Sequence, residues 1–201
     1  YKNGCMFFLK LLPVLALFIS SNPVTPPAKW TIEKSSTITV TGKSNVNEFN
    51  CQVPGYYQTD TIFVSQLSSS KDVRLSGELE VDVFKFDCHS KMITKDLRKT
   101  LKADQYPKLK IRFLTLERLP DTQFTAQCIK GMVEVELAGE RKVLQIPYVF
   151  VNNGTSGYLL NGTKVFNFSD FKLTPPKKLA GIVQVKDEFL VDFKLKVNIV
   201  P

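Results

Sequence analysis

The chain has 201 residues, four cysteines and one histidine, with 27 Lys+Arg against 19 Asp+Glu, a net charge of +8 and 43% hydrophobic residues. That length suits one ordinary domain with a short appendage, and that apolar content excludes wholesale disorder. The lone histidine, His89, excludes a two-histidine zinc site and any proton shuttle that needs a second imidazole.

At the N-terminus, Lys2 and Lys10 precede a short uncharged apolar run from Leu11 to Ile19, closed by Ser20 and Ser21. A membrane-crossing helix needs about 20 apolar residues. A positive start, a short apolar stretch and small residues predict a secretory signal peptide over 1–21, with Met6 a candidate initiator; a buried N-terminal helix is the alternative. Residues 22–28, with Pro23, Pro26 and Pro27, read as an extended linker, and one domain fills 29–201.

From Trp30 onward the apolar period is two. Ile38 and Val40 alternate with Thr; Leu75, Leu79, Val81 and Val83 alternate with Ser and acids; Leu109, Ile111 and Phe113 alternate with Lys and Arg. Val133, Val135 and Leu137 follow the same rule, as do Ile146, Tyr148 and Phe150, then Phe166 and Phe168. A last long run places Phe189, Val191, Phe193, Leu195, Val197 and Ile199 on one face. Turn signals at Pro54-Gly55, Ser68 to Asp72, Pro120-Asp121, Ala138-Gly139 and Asn152 to Gly154 separate the runs. About eight such strands, each with one dry and one wet face, predict an antiparallel sheet; their length favours a closed, tilted barrel over a flat sandwich. One segment breaks the period. Lys91 to Asp104 sets Met92, Ile93, Leu97 and Leu101 at helical spacing among Lys and Arg, and Tyr106-Pro107 stops it. The predicted fold is all-β, an eight-stranded antiparallel lipocalin-like barrel with one short inserted amphipathic helix.

These pieces resemble the YceI-like family of secreted lipid-binding barrels. The resemblance rests on Trp30-Thr-Ile and Gly42-Lys-Ser-Asn-Val-Asn-Glu-Phe, on the run from Lys95 to Pro107 followed by Ile111-Arg-Phe, on Gly131 to Gly139, on Phe166 to Phe171, and on the strand from Val191. It covers about 29–200. It implies an eight-stranded barrel that holds one long apolar ligand, typically a polyisoprenoid, in a periplasmic or secreted protein. The chain departs from the simplest members in its cysteines and in a longer segment after Cys51.

Within such a barrel Phe113, Tyr148, Phe150, Phe166, Phe168 and Phe193 face inward, either lining a cavity or filling a plain core. A polyisoprenoid with a diphosphate head needs a basic anchor at the mouth, which Lys95, Arg98 and Lys99 on the helix supply if they are not simply its solvated face; a quinone head is the uncharged counterpart. The positive charge does not mark a nucleic-acid binder, because Lys and Glu interleave on the same outward faces. No catalytic constellation or metal-ligand spacing is present, and His89 beside Cys88 reads as a loop residue. The sequons at Asn153, Asn161 and Asn167 read as turn sequences. The function expected is therefore that of an exported carrier of an isoprenoid or similar lipid, with no enzymatic activity and no resident metal or cofactor; a filled barrel without ligand is the alternative.

The cysteines complete the reading. If the strand from Ser44 to Gln66 pairs with that from Val73 to Cys88 about a turn centred on Ser70, Cys51 and Cys88 stand about equally far from the turn and so face each other. They are then placed to form a disulfide, with Cys128 left as a buried thiol; alternatively all three are small buried hydrophobes.

Overall fold

The computed structural model describes residues 28–54, 59–66, 72–154 and 157–200. The expected signal peptide, most of the expected linker, and the turn residues Gly55 and 68–71 lie outside the described residues. The chain forms a closed antiparallel barrel of eight staves. Two staves are interrupted strands. β1 (Ala28–Ile32) and β2 (Thr37–Ser44) follow one another along the same edge of the last long strand, β11 (Val183–Val200). β3 (Glu48–Val53) and β4 (Asp60–Gln66) lie beside β2 and β1 in turn. The ring continues through β5 (Val73–Asp82), β6 (Lys108–Leu116), β7 (Ala126–Leu137), β8 (Glu140–Asn152) and β9 (Gly157–Asn167), and β9 returns to the free edge of β11. A two-residue strand, β10 (Lys177–Lys178), adds to β11 outside the ring.

Local chemistry explains the connections. β7 and β8 join through Ala138 and Gly139, both at positive φ (51° and 84°), as the tightest antiparallel hairpin requires. The one α-helix among the described residues, α1 (Lys91–Thr100), links β5 to β6. Ser90 caps its start by accepting from the Ile93 N–H, and Arg98 and Lys99 complement its C-terminal dipole. It ends four residues before the Asp104 expected from the pattern. Lys102 turns left-handed (φ 53°) and the Ala103 N–H donates back to the Arg98 carbonyl.

The alternation holds along most staves, with Ile129, Val133, Val135 and Leu137 of β7 buried and Cys128 outside. The expectation of a buried Cys128 is therefore wrong. It sits one step out of phase with the apolar residues of its own strand, so its thiol faces water. A register shift between Phe113 and Thr115 makes Leu116, not Thr115, the next core residue of β6. Phe168 does not continue β9. Residues Phe168–Phe171 form a 3-10 turn, set by the Asp170 carboxylate accepting from the Asn167 N–H (3.1 Å), and both Phe168 and Phe171 turn inward as i and i+3 of that turn do. Asn161-Gly162, read as a turn, lies in the middle of β9.

The outward faces of β5, β6 and β7 carry a cross-strand ion row. Arg112 pairs with Glu78 and, at 2.5 Å, with Glu134, while Lys110 reaches Glu80 at 3.4 Å. Hydrogen bonds donated to Glu78 first, then to Glu134, hold the Arg112 guanidinium above its ordinary pKa. Basic charge on this side is thus matched by acid.

Cys51 and Cys88 form a disulfide with their Cα atoms 3.9 Å apart, closer than the usual ~4.4–6.8 Å. The register that pairs Phe63 with Ser76 also pairs Gln52 with Asp87, so the two cysteines face each other across the interrupted stave. The bond ties β3 to the segment before α1, where the only described pairing is the Gln52–Asp87 bridge. With a sequence separation of 37, its loss in a Cys51→Ala/Cys88→Ala variant is expected to cost about 4 kcal/mol on the chain-entropy model, read as a lower urea midpoint with a higher m-value, because the denatured chain without the cross-link is less compact.

Candidate ligand cavity

Aromatic side chains divide the barrel interior into two unequal parts. At the end remote from α1, Trp30, Phe150 and Tyr158 pack edge to face around the fully buried Phe150 ring, with centroids 6.1 Å and 5.8 Å from it. The loop between β6 and β7 is fastened over this end. Gln127, buried, accepts from Arg118 (2.7 Å) and the Asp121 N–H and donates to the Asp121 carbonyl, while the Tyr158 hydroxyl reaches the Pro120 carbonyl at 3.4 Å. This half is solid.

The floor of the other half is made by Tyr148 and Phe193, whose rings meet edge to face at 5.7 Å. Gly162 stands between them in the sheet, paired with Tyr148 on one side and Phe193 on the other. A Cβ on Gly162 would lie 2.0 Å from the Phe193 ring, so only glycine lets that ring lie flat across β9.

Above this floor lies a cavity walled by Ile38, Val40, Leu79, Ile111, Phe113, Val135, Ile146, Val191 and Leu195, with Phe166, Phe168, Phe171 and Phe189 clustered higher up. Leu97 of α1 and Leu101, the residue that caps its C-terminus, form its roof. The empty space is about 960 Å³ counting what is open to solvent, of which about 90 Å³ admits the centre of a water molecule. Its walls are almost wholly hydrocarbon; Tyr148 and Lys164 are the two lining residues that carry a polar group, and Lys164 contributes its stem. The Tyr148 hydroxyl is buried with no partner, and burial raises its pKa far above the ordinary tyrosine value, so it stays protonated and able to donate.

Five of the six aromatics expected to face a cavity line this one: Phe113, Tyr148, Phe166, Phe168 and Phe193. Phe150 does not. It is two residues from Tyr148 on the same face but below the floor, where Trp30 and Tyr158 enclose it. The basic residues of α1 are not at the cavity. Arg98 donates to the backbone carbonyls of Phe84 (2.6 Å) and Phe86 (3.2 Å) and lies over the Phe84 ring, which makes it a clamp between α1 and the segment before it. Lys95 and Lys99 are exposed, on the face opposite the buried Thr94 and Leu97. The helix turns its leucines to the cavity and its lysines to water, as amphipathic packing demands. His89 is exposed at positive φ beside the disulfide, and no group of three potential metal ligands occurs among the described residues. Lys164 was overlooked at the level of sequence. The signal was available, because it shares the inward phase of β9 with Gly162 and Phe166.

No protein-family model matches the chain, and no curated protein matches it. Solved structures do. BcnA of Burkholderia cenocepacia superposes with a TM-score of 0.59 at 16% identity over 83% of this chain and 97% of that one. A polyisoprenoid-binding domain from Saccharophagus degradans, implicated in plant cell wall breakdown, gives a TM-score of 0.61 at 10% identity over 84% and 97%. The YceI protein of Campylobacter jejuni gives 0.51 at 12% identity over 99% and 94%.

The division of the interior has a measurable consequence. Phe150→Ala is expected to lower stability by about 3–5 kcal/mol, whereas Phe193→Ala, whose ring already borders empty space, is expected to lose about 1–2 kcal/mol in urea denaturation. From the closed eight-stave ring, the helix roofing one end and these superpositions, the chain has the YceI-like fold.

Proposed function

We propose that this protein binds a single long-chain lipid, an isoprenoid or a similar amphipathic molecule, inside its barrel and carries or sequesters it without chemical change. The observation that supports this reading is the almost wholly hydrocarbon cavity between the Tyr148–Phe193 floor and the Leu97–Leu101 roof. Burying a chain there removes apolar surface from water on both partners at about 25 cal/mol per Å². The polyisoprenoid-binding description of one structural neighbour points the same way. Export to the periplasm or outside the cell fits the short apolar run after Lys2 and Lys10 and the Cys51–Cys88 disulfide, since such bonds persist in oxidising compartments. No helix among the described residues is long and apolar enough to cross a membrane.

The second reading, a filled barrel with no ligand, is favoured by the small part of the void that admits water. Organic extraction of the purified protein followed by mass spectrometry separates the two. The carrier reading expects one long-chain lipid approaching equimolar amounts. It also expects several-fold less in Val191→Trp, which places an indole in the channel while changing the urea midpoint little. Lipid-free extracts from several expression hosts would leave the filled barrel standing.

A further inference from the structure

The roofed end of the barrel carries a second depression, outside the cavity. It lies between the tip of the β2–β3 hairpin, α1 and the segment from Pro176 to Val185, and Phe49, Met92, Ile93, Val183 and Val185 give it apolar walls. Its empty space is about 760 Å³ counting what is open to solvent. Leu97 and Phe168 line both this groove and the cavity beneath it, so these two side chains are a wall the two spaces share.

The rim of the groove holds large apolar side chains out in water. Val46 is 67% exposed and Met92 64%, while Leu179 and Ile182, on the short loop between β10 and β11, are 71% and 70% exposed. These are the four most exposed large apolar residues among the described ones, and all four stand at this one end. Leu179 and Ala180 hold left-handed φ angles of 51° and 52°, a conformation that packing does not demand of a leucine so exposed. Side chains fasten the rim together. Asn45 donates to the Ile182 carbonyl (2.8 Å) and accepts from the Gln184 N–H (3.0 Å), and Lys178 reaches Asp96 of α1 at 2.7 Å. Hairpin tip, loop and helix thus present their apolar residues as one surface.

The charge of this surface is one-sided. The three segments that border the groove, 43–48, 91–100 and 176–185, carry seven basic residues against two acids, Glu48 and Asp96. Both acids are already paired, with Lys43 and Lys178, and Arg98 is held by backbone carbonyls. Lys91, Lys95, Lys99 and Lys177 remain exposed, with no acidic partner among the described residues. On β5, β6 and β7, by contrast, Lys110 and Arg112 are matched by Glu78, Glu80 and Glu134. Exposed apolar side chains set among uncompensated lysines fit the interface of an anionic membrane, where the apolar groups enter the head-group layer and the ammonium groups meet phosphate. A second copy of this chain fits poorly, because two such ends repel each other.

We propose that this end of the protein docks on an anionic lipid bilayer, with Val46, Met92, Leu179 and Ile182 entering the head-group layer, Lys91, Lys95, Lys99 and Lys177 meeting lipid phosphates, and the groove opening toward the bilayer. The apolar contacts hold the protein at the surface, and the lysines draw it there through an attraction that fades as salt rises. Docking stands whatever the cavity contains. It rests on the carrier reading only in making the groove the route by which a lipid passes Leu97 and Phe168.

The test uses the mature chain from residue 22 with its disulfide intact, so that the apolar run 11–19 takes no part, and two kinds of vesicle: pure phosphatidylcholine, and phosphatidylcholine mixed with phosphatidylglycerol. Co-sedimentation is expected to show binding about tenfold or more tighter to the mixed vesicles, weakening as salt rises. Leu179→Ser/Ile182→Ser is expected to weaken that binding about tenfold or more at an unchanged urea midpoint, since both side chains are exposed in the free protein. Lys91→Gln/Lys95→Gln/Lys177→Gln is expected to bring binding on mixed vesicles down to the level seen on pure phosphatidylcholine. Leu179→Trp reports the place of contact: its emission is expected to shift to shorter wavelength on mixed vesicles and to be quenched by brominated phosphatidylcholine, against the steady background of Trp30, the chain's one tryptophan, buried at the far end of the barrel. Absence of binding to mixed vesicles overturns the proposal and leaves the cavity reading, which organic extraction tests, as it was. Binding that survives both sets of substitutions without a shift in Leu179→Trp overturns it by placing the contact on another face. Self-association that Leu179→Ser/Ile182→Ser abolishes, with no vesicle binding, overturns it by giving the surface to a second copy. Vesicle binding by a protein whose extracts are free of lipid supports the docking and removes the carrier reading alone.

Discussion

β11 is hydrogen-bonded on both edges along most of its 18 residues, to β9 on one side and to β2 and then β1 on the other. Everything inside the molecule depends on that double pairing. A meander of strands has two raw edges, each a row of unsatisfied donors and acceptors. Here the edges come from opposite ends of the described chain and satisfy each other, so the sheet curls into a tube with an inside and an outside. The inward phase of β11, with Phe189, Val191, Phe193 and Leu195, then faces residues of every other stave across the interior.

Once the tube is closed, the size of the side chains at each level decides whether it is a core or a container. At one end three large rings meet. At the middle Gly162 removes one side chain so that Tyr148 and Phe193 can lie across the tube as a partition. Above the partition the walls are largely aliphatic, and aliphatic side chains on an eight-stave ring do not meet at its axis. The roof is a separate element, α1, held in place by the Arg98 clamp to Phe84 and Phe86 and, on the segment before it, by the Cys51–Cys88 bond. The container is thus built from glycine, a helix and a disulfide as much as from strands.

Outside, some of the charges meet one another. Arg112 lies between Glu78 and Glu134, Lys43 meets Glu48, Lys172 meets Glu140, and Lys178 meets Asp96. Exposed pairs of this kind add little stability each. Among the described residues, seven Lys and Arg residues have an acidic partner in this way, and Lys and Glu interleave on the outward faces of β5, β6 and β7. Inside, the cavity lining is almost wholly hydrocarbon.

The sequence by itself determined the all-β class, the barrel and the inward phase of most strands, because a two-residue period reports directly which side of a sheet is wet. It also carried the Cys51–Cys88 opposition, since hairpin pairing is fixed by distance from the turn. It did not carry the level at which each inward residue lies. Phe150 and Tyr148 are alike in sequence, yet one is core and the other cavity floor, because height in a tilted barrel is set by the stagger between strands. Phe168 left the strand because Asp170 captured a backbone N–H, and the lysines of α1 turned to solvent because the helix buried its leucines. Whether an inward residue meets a neighbour or empty space depends on side chains brought from distant parts of the chain, and only the closed tertiary structure sets them side by side.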